Sequence, residues 1–291
     1  MRAFVQPTGT YSHAMVRIAN ALERHAPVGV EITRDKSSAD VIVMYAIDDV
    51  YDETLSIMTR GQRYAIVQCC LRTCAGRPDP EAWRDIWASA AAVWSYYLLP
   101  LGVDYIHAPL GVDDAFKNAP RTMMRRRLVT TSGYVSAPNA EAIDEVWEAA
   151  RRLGIGVLHT GATSVEGMNT PKTWRSTGWL SDEGLAEVYS QASWVAALRH
   201  VEGFELPAAE GLSCGALPIV FDQPATRHWY GGHALLIPEC HGEELVGHLV
   251  EAMSVDPRDF TLGPTRWEPF GWEDACSKFW SKVTSRQEVS V

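Results

Sequence analysis

Two glutamates in the segment VEGFELPAAEGLSCGALPIV, residues 201–220, stand eight positions apart and could hold a ligand. Glu202 lies in a loop after the apolar stretch SWVAAL, and Glu210 lies inside a helix expected to begin between Leu206 and Ala208. A carboxylate can accept hydrogen bonds from both hydroxyls of a vicinal diol, such as that of a ribose. The pair could therefore contact two ends of one polar ligand, although a solvated loop and helix surface is the other interpretation.

The segments that must position these glutamates alternate apolar runs with helical patterns. RAFVQ, ADVIVMYAI, RYAIVQC and AAAVWSY are predicted strands, and the same alternation restarts with RLVTTSGYV, IGVLHTG, SWVAAL and HALLIP. Runs this continuous in apolar residues are typical of parallel sheets covered on both faces. We predict two α/β domains in tandem, the first over residues 1–114 and the second over 128–271, with a linker over 115–127 between them.

The composition is that of a globular protein, and it restricts the partners. The formal net charge of −10 argues against a broad nucleic-acid surface. The N-terminus lacks the apolar region of a signal peptide, and no apolar run is long enough to span a bilayer, so we expect a cytoplasmic protein. The six cysteines show no zinc spacing and a D-x-D metal motif is not evident, so we expect reduced thiols and no metal cofactor.

Residues 201–220 resemble the donor-site signature of GT-B glycosyltransferases, especially the large retaining group numbered family four. That signature has two glutamates separated by seven residues and is usually written E-G-F-G-x-x-x-x-E-A-x-A-x-G-x-P-V-V. The positions that match it are Glu202, Gly203, Phe204, Pro207, Glu210, Cys214, Gly215, Pro218 and Val220. Flanking segments, including VWSYYLLPLGVDYIHAPLGVD and PFGWEDACSKFW, are similar to the family's in the correct order.

The resemblance implies a GT-B fold, in which two Rossmann-like domains face each other across a cleft. A C-terminal helix within about 272–291 would cross back and complete the first domain. It implies a retaining glycosyltransferase of the EC 2.4 class, which moves a sugar from a nucleoside-diphosphate sugar to an acceptor hydroxyl. Glu210 would bind the ribose, while Glu202 and the backbone of Gly203 and Phe204 would bind the sugar. Gly9 and Thr10 match the loop that approaches the donor phosphates. The leaving phosphate would assist deprotonation of the acceptor.

The sequence departs from the family where cations usually neutralise the diphosphate. The pattern G-R-x-x-x-x-K-G is replaced by TSGYVSAPNAEAID, which contains neither cation. Backbone N–H groups of Gly9 and Gly133 could substitute, as could Arg72, Arg175, Arg199 or His200. We favour Arg199 and His200 because they directly precede the signature. The alternative is a catalytically silent nucleotide-sugar-binding protein of the same fold.

The acceptor side carries two further hypotheses. Asp48 and Asp49 follow a predicted strand and could orient or deprotonate an acceptor hydroxyl, or could cap the next helix. The short first domain suits a large or polymeric acceptor. Hydroxymethylated pyrimidines in DNA are a minority candidate, for which the linker arginines Arg125, Arg126 and Arg127 would contact phosphates. The acidic charge opposes DNA, and the missing Rossmann fingerprint argues against a dinucleotide-dependent enzyme.

Overall fold

The computed structural model describes residues 1–6, 13–46, 51–69, 80–99, 102–120, 127–132, 141–161, 175–200, 203–257, 259–260 and 268–285. The chain divides into two compact units. The first comprises Met1–Gly111 and Phe270–Val291, and the second comprises Val112–Pro269.

The first unit is built on a six-stranded parallel sheet. Its strands are β1 (Arg2–Val5), β2 (Glu31–Thr33), β3 (Val41–Ala46), β4 (Tyr64–Gln68), β5 (Val93–Ser95) and β6 (Ile106–His107), in the order β2-β1-β3-β4-β5-β6. Its first three helices are α1 (His13–Arg24), α2 (Tyr51–Thr59) and α3 (Pro80–Ser89). Every residue of β3 and β4 is buried, as expected for central strands that helices cover on both faces.

The second unit repeats this architecture. Its strands are β7 (Arg127–Ser132), β8 (Gly156–Gly161), β9 (Arg175–Ser176), β10 (Trp194–Ala197), β11 (Leu217–Phe221) and β12 (Leu235–Ile237), in the order β12-β11-β10-β7-β8-β9. The helices are α4 (Asp114–Lys117), α5 (Ile143–Leu153), α6 (Asp182–Ser190), α7 (Leu206–Cys214), α8 (Pro224–Tyr230) and α9 (Gly242–Ser254). Two parallel sheets with flanking helices confirm the predicted pair of Rossmann-like units.

The last helix, α10 (Trp272–Ser285), belongs to the first unit. The indole of Trp280 is buried, and its Nε1 donates a hydrogen bond to the carbonyl oxygen of Leu22 in α1 at 3.0 Å. The segment predicted as a linker contains α4 of the second unit. Phe116 of that helix is buried, with its ring centroid 6.1 Å from that of Tyr189 in α6.

Helix α7 packs unusually close to the sheet because a glycine faces it. A Cβ atom added to Gly211 would lie only 2.7 Å from Cγ2 of Val195 in β10, so the helix can approach the strand only without a side chain there. Gly215 then ends the helix in the left-handed conformation, with φ of +94°. These two glycines fix the position of the helix that carries Glu210.

We predict that Gly211→Ala destabilises the protein by about 1–3 kcal/mol, because the added methyl group overpacks the contact with the stiff side chain of Val195. Gly247→Ala in α9 is the matched control, since a Cβ atom there meets nothing within 4 Å. We expect that control to stabilise the protein by up to about 1 kcal/mol through helix propensity. Urea denaturation of the full chain measures both changes, and equal stabilities of the two variants would contradict the close packing.

Candidate functional site

The strand order of the second sheet reverses between β7 and β10. These strands are neighbours, although β8 and β9 lie between them in sequence on the far side of β7. In open α/β sheets a ligand crevice forms at the carboxyl ends of the strands at such a switch point. A pocket is found there, lined by the ends of β7 and β10, the start of α5 and Arg199.

Arg199 joins the ends of these elements through its guanidinium group. Nε donates to Oε1 of Glu141 at 2.6 Å, and Nη1 donates to Oε2 of Glu205 at 2.6 Å. Nη2 also donates to the hydroxyl of Thr131 in β7 at 3.2 Å. The side chain of Arg199 is only 10% exposed, and those of Glu141 and Glu205 are 9% and 1% exposed. Hydrogen bonds between ionised groups are stronger than those between neutral groups, and burial shields them from water.

The positive charge of Arg199 at the switch point is paired with negative charges of the protein. Two carboxylates face the single guanidinium of Arg199, so its positive charge is already balanced within the protein. In this arrangement Arg199 connects the end of β7, the segment just before α5 and the residue before α7.

His200 is held on the other side of β10. Its Nδ1 lies 2.8 Å from Oε1 of Glu239, and its ring centroid is 4.6 Å from that of Phe221 and 4.4 Å from that of His241. Gln223 donates to the second oxygen of Glu239 at 2.9 Å. The imidazole is therefore stacked and hydrogen-bonded toward β11 and the turn that follows β12.

Glu210 is buried, with 2% of its surface exposed, in an α7 helix whose other buried residues are apolar or small. Burying a carboxylate is costly unless hydrogen-bond donors satisfy it, so this is an unusual position for a glutamate. Gly203 and Phe204 precede the helix and are also buried. The ring of Phe204 lies 5.9 Å from that of Trp229 and 5.6 Å from that of Tyr230, so this entry to α7 is firmly packed.

A buried polar pair supports the floor of the pocket. Thr130 of β7 lines the pocket, and its hydroxyl oxygen lies 2.8 Å from Nδ1 of His159 in β8. Nε1 of Trp147 donates to the same hydroxyl oxygen at 3.2 Å. Burial lowers the pKa of His159 to about 4. The ring is therefore neutral at pH 7, and it serves as a packed hydrogen-bonding group beneath the pocket.

Several of the predicted site residues lie outside the described residues. Gly9 and Thr10 follow β1, and Asp48 and Asp49 follow β3, the two adjacent strands at which the order of the first sheet reverses. The others outside the described residues are Arg72, Arg125, Arg126, Gly133 and Glu202. Arg127 is the first residue of β7 and donates to Gln191 at 2.8 Å, so it lies at the edge of the sheet opposite to Arg199.

The sequence reasoning missed Glu141, Glu205 and Thr131 as parts of the site. Glu205 directly precedes a helix that begins with Leu-Pro. That proline marks the first turn of a helix, so it could have identified Glu205 as the residue at the helix start. Glu141 and Thr131 are 58 and 68 residues from Arg199, and no local pattern connects them with it.

Comparison with known proteins identifies the fold of the chain. No protein-family model matches the sequence, and no curated protein matches it either. Solved structures do match over almost the whole chain. Sucrose-phosphate synthase from Thermosynechococcus elongatus superposes with a TM-score of 0.68 at 14% identity, covering 99% of this chain and 97% of that one. The chain has the GT-B fold.

Two other solved structures also superpose on almost the whole chain. HepE from Anabaena, solved in complex with UDP and glucose, matches with a TM-score of 0.62 at 11% identity, covering 99% of this chain and 98% of that one. A protein from Listeria monocytogenes, provisionally assigned as a UDP-N-acetylglucosamine 2-epimerase, matches with a TM-score of 0.60 at 12% identity, covering 100% and 97%. The predicted GT-B fold is confirmed.

No helix in the described part of the chain is both long and apolar enough to cross a membrane.

We predict that Arg199→Met lowers the free energy of unfolding by about 3–5 kcal/mol, because it leaves two buried carboxylates without their cation. Adding Glu141→Gln to this variant should recover part of the loss, since one of the two charges is then removed. Arg227→Met is the matched control, because its ion pair with Asp222 is exposed. We expect that control to change stability by less than about 1 kcal/mol. Urea denaturation measures all three, and a small effect of Arg199→Met would contradict the network.

Proposed function

We propose that this GT-B protein is a retaining glycosyltransferase that binds a nucleoside-diphosphate sugar at the carboxyl edge of its second sheet. Glu210 carries the proposal. It is buried on the helix that directly follows β10, a strand at the switch point, and it occupies the second position of the two-glutamate pattern. In that place a carboxylate can accept hydrogen bonds from both hydroxyls of a ribose.

The donor would extend from Glu210 toward the start of α7. Glu202 and the backbone of Gly203 and Phe204 would then contact the transferred sugar. The amino end of α7 follows the carboxyl end of β10, and the dipole of a helix favours negative charge near its first turn. The diphosphate would gain stabilisation from that helix end and from backbone N–H groups, because Arg199 and His200 are engaged with carboxylates.

The transfer step needs no protein nucleophile. The acceptor oxygen bonds to the anomeric carbon on the face from which the diphosphate departs. The bond between that carbon and the phosphate oxygen breaks, its electron pair stays on the diphosphate, and the leaving phosphate takes the acceptor proton. Asp48 or Asp49 would orient the acceptor hydroxyl, and a large or polymeric acceptor would suit the short first unit.

Solved GT-B structures guide the choice of donor. HepE has been solved with UDP-glucose, and the pneumococcal O-GlcNAc transferase GtfA with UDP and GlcNAc. UDP-glucose and UDP-GlcNAc are therefore the first donors to test, followed by other nucleoside-diphosphate sugars.

A catalytically silent nucleotide-sugar-binding protein is the second candidate. It is favoured by the charge balance around Arg199, since a cation already paired with two carboxylates stabilises a departing diphosphate poorly. Release of free nucleoside diphosphate distinguishes the two candidates. Binding of a sugar nucleotide without release or transfer, across the panel of donors, would favour the silent protein. Conversion of UDP-GlcNAc into its 2-epimer would instead assign an epimerase.

We predict that Glu210→Gln and Glu202→Gln have different effects on the donor. Loss of the charge-assisted ribose contact in Glu210→Gln should weaken binding of both the sugar nucleotide and the free nucleoside diphosphate by about 10–100-fold. Glu202→Gln should lower turnover while leaving affinity for the nucleoside diphosphate nearly unchanged, because its contact is with the sugar. Titration calorimetry and donor-hydrolysis assays measure the two effects.

Glu187→Gln on α6 is the matched control, since that glutamate is exposed on a helix of the same unit. It should leave both affinity and turnover unchanged. Equal affinity of the wild-type and Glu210→Gln proteins for the nucleoside diphosphate would contradict the assignment of Glu210 to the ribose.

A further inference from the structure

Three side chains with metal-binding atoms meet where β12 leads into α9. Cys240 lies in the turn after β12, and Glu244 and His248 lie one helical turn apart on α9. The sulfur, a carboxylate oxygen and a ring nitrogen of these residues all lie within 4.8 Å of one another. No part of the proposed transferase chemistry uses them.

The spacing of the three residues follows from the helix geometry. Residues four apart lie on the same face of a helix, so Glu244 and His248 project side by side. Cys240 is four positions before Glu244, and its sulfur hydrogen-bonds to the carbonyl oxygen of Pro238 at 3.5 Å, which holds the thiol at the end of that face. The three ligand atoms are thus brought together by a rigid helix and a tight turn.

The chemistry of this set matches zinc. Thiolate, imidazole and carboxylate are the three protein ligand types that zinc accepts, at bond lengths of about 2.0–2.3 Å. A tetrahedral ion with such bonds separates its ligand atoms by about 3.5 Å, so small side-chain rotations would close the site. Cys240 and His248 are partly buried and Glu244 is exposed, which leaves room for water as a fourth ligand.

We propose that Cys240, Glu244 and His248 form a zinc-class metal site on the second unit. The carboxylates of Glu244 and Glu145 both act on the thiol of Cys240, and negative charge at this place attracts a cation. Glu145 also accepts a hydrogen bond from the backbone N–H of Gly242 at 3.1 Å, so the turn that carries Cys240 is tied to α5.

The metal would also hold the turn around Cys240, whose neighbouring residues contact His200. His241 follows Cys240 and stacks on the His200 ring, and Glu239 precedes Cys240 and bonds to the same ring. An ion bound at Cys240 would therefore fix the position of His200, which leads into the loop before α7. The site itself does not depend on the proposed transferase activity.

Cobalt and zinc titrations of the full chain test the site. After treatment with a chelator, we expect the protein to bind one Co²⁺ with the charge-transfer absorption that a thiolate ligand produces, and Zn²⁺ to displace it. Cys240→Ser should abolish the absorption. His248→Ala should weaken Zn²⁺ binding by at least about 100-fold, because even groups that only support metal ligands contribute 10–100-fold in affinity.

Glu251→Gln and His228→Ala are the matched controls. Glu251 is exposed on the same helix outside the cluster, and His228 is exposed on α8. Both should bind Zn²⁺ like the wild type. A measurement on the unaltered chain is independent of any folding defect: Zn²⁺ should slow alkylation of Cys240, followed by mass spectrometry. Unchanged cobalt absorption in Cys240→Ser, or alkylation of Cys240 at the same rate with and without Zn²⁺, would overturn the proposal.

Discussion

The strand order of the second sheet reverses between β7 and β10, which leaves a crevice at the carboxyl ends of these strands. Arg199 lines that crevice. The ends of β7 and β10 lie side by side there. Arg199 holds the elements around this point together by bonding to Thr131 at the end of β7 and to the glutamates that precede α5 and α7.

The position of Glu210 depends on that arrangement. Helix α7 begins immediately after Glu205, which Arg199 holds from one side, while the hydroxyl of Tyr230 donates to the carbonyl oxygen of Glu205 at 2.8 Å. The contact between Gly211 and Val195 then fixes how closely the helix lies on β10. A carboxylate on such a helix is preorganised, so a ligand that bonds to it meets little reorganisation. The same bonds engage the guanidinium of Arg199 with two carboxylates.

Much of the fold could be predicted from the sequence, because the central strands are continuous apolar runs. VIVMYA and YAIVQ are buried throughout and were predicted as strands. Three strands that were not predicted, β2, β6 and β9, have three, two and two residues and lie at sheet edges. Short edge strands are partly exposed, so they lack the apolar pattern that identifies a buried strand.

The site was less accessible to sequence reasoning. Glu210 could be selected because it belongs to a local pattern, whereas the partners of Arg199 come from distant segments that only the tertiary fold brings together. The cluster of Cys240, Glu244 and His248 was missed for a related reason. Cysteine spacing alone identifies sites with several thiolates, and it has no signal for one thiol combined with two different ligands on a helix.

A crystal structure of the chain soaked with UDP-glucose or another nucleoside-diphosphate sugar would show whether the second sheet binds the donor. We expect the nucleotide to lie at the carboxyl edge of that sheet, with the ribose hydroxyls within hydrogen-bonding distance of Glu210 and the diphosphate near the amino end of α7. Nucleotide bound elsewhere, or a ribose out of reach of Glu210, would contradict this expectation.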